Sequence, residues 1–535
     1  MAQHETHDYV IVGAGSAGAV VAARLSEDPA TSVLLLEAGG EPEGDEITIP
    51  AAFPALFKTR WDWNYSTTEQ KQLHGRRAFW PRMKALGGCS SMNAMIYIRG
   101  NRADYDAWRD EYGATGWGYD DVLPYFIKSE HNSSHGAPYH GQAGPLRVED
   151  RRYTHPLTYS WLESAVSTGL KPNEDFNGVE QEGAGLYQVT CKKGRRWSVA
   201  DGYLGPSLSR SNLTVRTGAL ASRVLIEDGR AVGVAYQHGR GEQLAYAGAE
   251  VVLAGGAINS PQLLMLSGVG PASHLREMGV EVAVDLPGVG QNLHDHPAAP
   301  LVWHTKDITD LAEFNNLANF GRAKALGRGP LVSNVGEAGA FFHSRDGLRA
   351  PDLQVHMAPS GFWDNGLHEP TTRKVTVAPT LVTVLSRGQL RLRSVDPRWH
   401  PDIDPAYYDD PADLDAMVAG CQRLLETVET GPMRNYVDRP FMPGRRAPSE
   451  SDLVEHLRQA TQTLYHPVGT CAMGDGEASV VDPELRVRGV DGLRVADASV
   501  MPVVPRGNTN APTVMVGEKA ADLIRGRHPS ERVNR

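Results

Sequence analysis

The stretch DYVIVGAGSAGAVVAARLSEDPATSVLLLE, residues 8–37, decides the fold class. An apolar run, Tyr9 to Val12, leads straight into Gly13-x-Gly15-x-x-Gly18. A helical pattern follows from Ser16 to about Ser26, and a second apolar run, Val33 to Leu36, ends in Glu37. Strand, glycine turn, helix and strand with a terminal acid together make a dinucleotide-binding unit. Gly13 permits the sharp turn, Gly15 lets backbone approach a pyrophosphate, and Gly18 lets the helix pack close to the strand. The helix N-terminus offers free N–H groups and the positive end of its dipole to phosphate. Glu37 is placed to accept from a ribose hydroxyl. The unit does not say which dinucleotide is bound or for what chemistry.

The 535 residues leave room for two or three units of ordinary size. A hydrophobic share of 41% and a charged share of 22% are those of a globular protein. The net charge of −11 and the lack of a dense Lys/Arg block argue against a nucleic-acid partner. Cys89, Cys191, Cys421 and Cys471 form no C-x-x-C pair, which excludes a disulfide scaffold or zinc ribbon and fits a reducing, cytoplasmic setting. The polar start MAQHETHD does not read as a signal peptide, and no apolar run reaches the ~18 residues of a membrane span.

Outward from the opening unit, Pro81 to Met95 carries a paired glycine and small hydroxyl residues, suited to backbone that meets a flat or anionic ligand. Residues 131–150 read as a long loop. Val215 to Val234 alternates like paired strands about an Asp228-Gly229 hairpin signal. Glu250 to Ala254 is a further apolar run leading to Gly255-Gly256, and Ser260-Pro261 is expected to cap a helix that Gly268 stops. Gln389 to Ser394 alternates with period two, as an antiparallel strand does. Leu414, Met417, Val418, Cys421, Leu424, Leu425 and Val428 share one helical face. Leu493 to Asp497 is a short strand ending in an acid, and Thr513 to about Arg525 is a helix with Pro512 just ahead of it.

Several of these blocks together resemble the glucose–methanol–choline oxidoreductases, end to end from Asp8 to about Arg525. They are the opening GAGSAG with Glu37, Leu86-Gly-Gly-Cys-Ser-Ser-Met-Asn93, Gly256 to Gly270, Asn292-Leu-His-Asp-His-Pro297, Tyr465-His-Pro-Val-Gly-Thr470 and Val495 to Pro502. The resemblance implies an α/β fold: a Rossmann-like FAD-binding domain with an inserted α+β substrate domain built on an antiparallel sheet. The expected division is 1–155, 200–300 and 460–535 for the FAD domain, and 156–199 and 301–459 for the substrate domain. It also implies cofactor contacts. Gly13, Gly15, Ser16 and Gly18 serve the pyrophosphate end, Glu37 and Ala38 the adenosine ribose, and Leu220 the adenine. Trp63, Gly88, Asn93, Ala94 and Met95 lie along the flavin end. Asp497 and Ala498 close over the phosphates, and Asn510 and Thr513 meet the flavin pyrimidine. Some relatives carry at position 92 a histidine bonded to the flavin; here Met92 cannot form that bond, so dissociable FAD is expected.

The reaction this implies is oxidation of a primary alcohol to the aldehyde, with a histidine as base. By resemblance the base is His466, and Asn508 is the partner that orients the hydroxyl. His294 and His296 form an H-x-H without an evident third ligand; they read as structural, and no metal is expected. Choline-oxidising relatives place a carboxylate near the position of His304, so a neutral aryl, furanic or aliphatic alcohol is the first expectation. Trp303, Phe362 and Tyr465 are candidate substrate walls, with Trp363 beside them, and Trp61 is a further aromatic candidate. A choline-type dehydrogenase and a flavin-bearing hydroxynitrile lyase are the alternatives, and the acceptor, dioxygen or another, is open. A nicotinamide-dependent reductase or a non-catalytic nucleotide-binding protein is the reading from another class.

Overall fold

The computed structural model describes residues 4–239, 241–368 and 373–527. Its first sheet grows from the opening unit. Strand β1 (His4–Val12) is central; after the glycine turn, helix α1 (Gly18–Leu25) returns the chain to β2 (Val33–Leu36). The sheet is completed much later by β3 (Leu213–Arg216), β4 (Leu220–Glu227), β5 (Arg230–His238) and β6 (Gly241–Leu253). Its order is β3-β2-β1-β6-β5-β4, and the strand Leu493–Val495 pairs with β6. The pairs β3–β2, β2–β1, β1–β6 and β6 with Leu493–Val495 are parallel. The β4–β5 hairpin is antiparallel and turns at Asp228 and Gly229, both with positive φ. Val33 to Leu36 and Val10 to Ile11 are fully buried, as strands covered on both faces require.

Helix α2 (Gly256–Leu266) follows β6 directly. It starts five residues earlier than Ser260-Pro261 suggests, so Pro261 sits inside the helix and the Ser260 hydroxyl is used elsewhere, on Asp497. Gly268, with φ +81°, does mark the end. At the two ends of the 131–150 stretch lie three-residue strands, Glu130–Asn132 and Leu146–Val148, paired in parallel.

The second sheet is antiparallel. It comprises β7 (Leu301–Thr305), β8 (Ala338–Phe342), β9 (Leu353–Ala358), β10 (Lys374–Leu381), then, after helix α3 (Pro411–Glu429), β11 (Val437–Met442). The order is β11-β7-β10-β9-β8, continued by Gly183–Leu186. Short strands at Pro297–Ala298 and Gln462–Thr463 attach to it. Helix α3 packs on one face, burying Met417, Cys421, Leu424 and Val428. Gln389–Arg391 pairs with Asp402–Asp404 as a separate two-stranded ribbon rather than joining this sheet. The last helix, α4 (Asn510–Ile524), begins three residues ahead of Thr513 and packs against α1. No helix among the described residues is long and apolar enough to cross a membrane.

Candidate active site

One long cleft runs from the carboxyl ends of the parallel strands to the inner face of the antiparallel sheet. The chain leaves β1 at Gly13, β2 at Glu37 and β6 at Ala254, and Asp497 lies two residues past Leu493–Val495; all four positions line the cleft. This is where an open parallel sheet binds ligands. Gly13, at φ +99°, passes so near Ala254 that a Cβ would lie 2.5 Å from its carbonyl oxygen. Gly88, at φ +49°, meets Gly15 backbone to backbone; a Cβ on Gly88 would sit 2.6 Å from the Gly15 Cα. These glycines form a floor without side chains. Gly18 is different: it does not line the cleft, and a Cβ there would lie 1.9 Å from the Gly13 carbonyl oxygen. The close approach to Gly13 lets the helix pack tightly here.

Glu37 is buried. Its Oε2 accepts from the Ala14 N–H at 2.9 Å and its Oε1 from the Gly39 N–H at 2.8 Å, while burial pushes its pKa up. Asp497 is fixed likewise: Oδ2 accepts from the Gly256 N–H at 2.8 Å and the Ser260 hydroxyl at 2.6 Å, and Oδ1 from the Ser499 N–H at 2.8 Å. The Ser16 hydroxyl donates to Asn510 Oδ1 at 2.8 Å, tying the α1 approach to the start of α4. Ser16, Ala38, Trp63, Asn93, Ala94, Met95, Leu220, Ala498 and Thr513 also line the cleft.

At the other end, period-two alternation aims one set of side chains inward. His356 and Ala358 on β9 stand opposite Ala378 and Thr376 on β10, and all four line the cleft with Ala298 and Pro300. Trp303 is out of phase with Ala298 and Pro300. Its ring is buried in the core, opposite Val375, and does not reach the cleft. Its expected role as a substrate wall is therefore corrected. Trp363 is also outside, against His368, Phe441 and Lys374, and so is Trp61, beneath Arg60. Phe362 and Tyr465 do line the cleft, joined by Phe53 and Phe57. Ring centroids are 6.1 Å apart for Phe53–Phe362 and 5.9 Å for Phe57–Tyr465.

His466 and Asn508 meet here, with Asn508 Nδ2 3.4 Å from His466 Nε2. The donor directions follow from the partners. The Tyr187 hydroxyl donates to the Val355 carbonyl at 2.7 Å, so its oxygen accepts from Gln354 Nε2 at 3.1 Å. Gln354 Nε2 also donates to Asn508 Oδ1 at 3.2 Å, which turns the Asn508 amide N–H₂ to His466. His466 Nε2 is then an acceptor, its Nδ1 carries the proton, and that proton is donated to His296 Nδ1 at 3.0 Å. The His466 backbone N–H donates to Asp295 Oδ1 at 2.7 Å, and the Tyr407 hydroxyl holds the other carboxylate oxygen. Desolvation, with repulsion from His296, His356 and Arg82, pulls the His466 pKa well below the usual imidazole range; burial pushes His296 and His356 down to about 3.

His296 thus touches the His466–Asn508 pair directly, beyond the structural role expected of it. Its position in the Asp-His-Pro block was a signal of that. His294 is structural: Nδ1 donates to the Asn292 carbonyl at 2.6 Å and Nε2 accepts from the Val504 N–H at 3.0 Å. Among the described residues no group of three His, Cys, Asp or Glu side chains is arranged to hold a metal.

A dinucleotide cleft on a parallel sheet, ending at a neutral histidine–asparagine pair on an antiparallel sheet, defines a cofactor-dependent oxidoreductase. Comparison with known proteins gives the family. Models of the GMC oxidoreductases match residues 7–298 and 384–517. An alcohol dehydrogenase [acceptor] of Pseudomonas putida is 42% identical, covering 97% of this chain and 95% of its own. An oxygen-dependent choline dehydrogenase of Rhizobium etli is 42% identical, covering 98% and 97%. The crystal structure of pyridoxine 4-oxidase from Mesorbium loti superposes with a TM-score of 0.90 at 31% identity, covering 98% of this chain and 100% of that one. The chain belongs to the GMC oxidoreductase family and is an FAD-dependent oxidoreductase acting on alcohol or choline donors.

Proposed function

We propose that the protein oxidises a neutral primary alcohol, aryl, furanic or aliphatic, to the aldehyde, with His466 as the base. The observation that carries this is the make-up of the cleft. Among the described residues its only carboxylates, Glu37 and Asp497, sit at the strand ends, whereas the walls at the His466 end include Phe53, Phe57, Phe362, Tyr465, Ala298, Pro300 and Val335. His304, near the position where choline-oxidising relatives are expected to carry a carboxylate, packs against Phe441 and does not line the cleft.

The residues fit FAD. The Gly13, Gly15 and Gly88 floor admits the pyrophosphate, Glu37 and Ala38 suit the adenosine ribose, and Leu220 suits the adenine. Asp497, Ala498, Asn510 and Thr513 suit the phosphates and flavin pyrimidine, with Trp63, Asn93, Ala94 and Met95 along the flavin. FAD supplies the hydride acceptor. His466 Nε2 takes the hydroxyl proton while the Asn508 N–H steadies the alkoxide character. His296 accepts from His466 Nδ1, and Asp295 fixes the backbone, so that Nε2 keeps its lone pair toward the substrate. The aromatic walls exclude water. Met92 lines the cleft where a flavin-linking histidine would be, so FAD is held without a covalent bond and acid denaturation releases it. Four unpaired cysteines support a cytoplasmic setting. The acceptor for the reduced cofactor is dioxygen or another small oxidant.

The choline reading is the second, favoured by the 42% identity to the choline dehydrogenase and by a ring cluster able to meet a cation. Anaerobic mixing with a panel of aryl, furanic and aliphatic alcohols and choline decides between them. Bleaching of the flavin by a neutral alcohol supports the first; bleaching by choline alone overturns it. Oxidised colour throughout the whole panel points to lyase chemistry. Admitting air then distinguishes oxidase from dehydrogenase.

A further inference from the structure

Arg196 is the most unusual charge near the cleft. It is 4% exposed, yet among the described residues its hydrogen-bond partners include no carboxylate, and Asp201 attracts it only through space. Its Nε donates to the Ile47 carbonyl at 2.7 Å, and its Nη1 to the Ser90 carbonyl at 3.2 Å and to Asn93 Oδ1 at 2.8 Å. Nη2 is buried with no hydrogen-bond partner. All its partners are neutral acceptors. A buried cation of this kind is costly unless something compensates it. Burial brings its pKa down to about 10, so it is still a cation at neutral pH.

Asn93 connects this charge to the cleft. Its Oδ1 accepts from Arg196 and also from the Met95 N–H at 3.0 Å. Two donors on one side fix the amide: the oxygen faces Arg196 and the N–H₂ is left for the cleft, which Asn93 lines. The fixing segments are the turn Gly88–Ser91, the strand Arg195–Arg196 and the Asp45–Thr48 turn. We propose that Arg196 is a positioning residue that sets the Asn93 amide toward the flavin and, as a buried cation without a carboxylate partner, favours the negative charge the flavin gains on reduction. When a hydride leaves the alcohol carbon and the hydroxyl proton goes to His466, the flavin takes up two electrons and one proton and becomes more negative by one charge. A fixed cation nearby stabilises that state over the oxidised one.

This rests on the flavin lying against Asn93. The test is the two-electron midpoint potential of the FAD-loaded protein, measured with FAD affinity, for Arg196→Met, Arg196→Lys and Asn93→Asp. The expected result for Arg196→Met is at least a tenfold fall in the equilibrium constant for reduction, ~30 mV lower. Arg196→Lys, which keeps the charge, stays near wild type. Asn93→Asp places a carboxylate on the guanidinium and lowers the potential as the Met variant does; it serves also if Arg196→Met does not fold. Variants that keep full FAD and wild-type potential overturn the tuning role and leave the FAD site standing. A potential that falls equally in Arg196→Lys overturns the charge argument in favour of a structural strut.

Discussion

Two buried histidine sites in this molecule have their pKa values shifted in opposite directions. At the cleft, His466 lies with His296 and His356, and among the described residues no carboxylate side chain accepts from any of the three rings; all three pKa values are pulled down. The nearest carboxylate, Asp295, accepts from the backbone N–H of His466 instead. Away from the cleft, His140 is as hidden, at 5% exposed, but its Nδ1 is 3.0 Å from Glu130 Oε1 and its Nε2 2.9 Å from Asp175 Oδ2. Its pKa is raised. Burial disfavours the charged ring in both places; carboxylates on both nitrogens reverse the outcome at His140. The cleft therefore favours a neutral ring at His466, whereas the carboxylates about His140, in a network with Arg99, Glu130 and Asp175 and the nearby His135 ring, favour its charged form.

The sharpest way to break the comparison is to remove the neutral imidazole at the cleft. His466→Ala is expected to slow anaerobic flavin reduction by ~10²–10⁴-fold with the cofactor still bound. In the wild type, the same rate should hold its plateau as pH falls through 6.5 and decline only lower, as the depressed pKa of His466 is reached. A rate that halves near pH 6.5, or a variant that reduces at the normal rate, removes His466 as the base.

Asn508→Ala comes next. The amide that Gln354 turns to His466 is then lost, and reduction is expected to slow ~10²-fold, about 2.7 kcal/mol of barrier. Substrate affinity should change less than the rate. An equal fall in affinity alone would make Asn508 a binding group.

How much of this was legible depends on range along the chain. The fold class was readable in residues 8–37 because turn, helix and strands there are local, and β1, α1 and β2 fall where the pattern puts them. His466 and Asn508 came through family blocks, and the fold brings them together from separate loops. His356 and Gln354 were missed because strand alternation says that they share a face, and only the second sheet's pairing says which face meets the cleft. Trp303 failed for the same reason, one residue out of phase. Arg196 stands in a short basic run, Lys192 to Arg196, that does not announce burial; its burial depends on Ile47 and on Ser90 and Asn93, two segments far away in sequence.

The smallest expected effect tests the other side of the comparison. His140→Leu removes the imidazolium between Glu130 and Asp175 and should leave flavin reduction unchanged. Glu130 keeps Arg99, the Asn132 amide and the Gly141 N–H, and Asp175 is partly open to water, so the loss of stability is about 2 kcal/mol. Its pH dependence carries the sign. Because the folded pKa of His140 is raised above 6.5, its contribution is fully present below that pH and fades as pH rises through the folded value. The Tm deficit of His140→Leu should therefore be larger at pH 6 than at pH 9. The cleft histidines act in the reverse sense: neutral when folded, with His296 and His356 at about 3, they cost stability as pH falls below 6.5 toward that value. Wild type and variant should both lose stability on the acid side, and only their difference reports His140. A difference that is flat from pH 6 to 9 would mean that His140 is not charged between its two carboxylates, and the contrast between the two sites would reduce to burial alone.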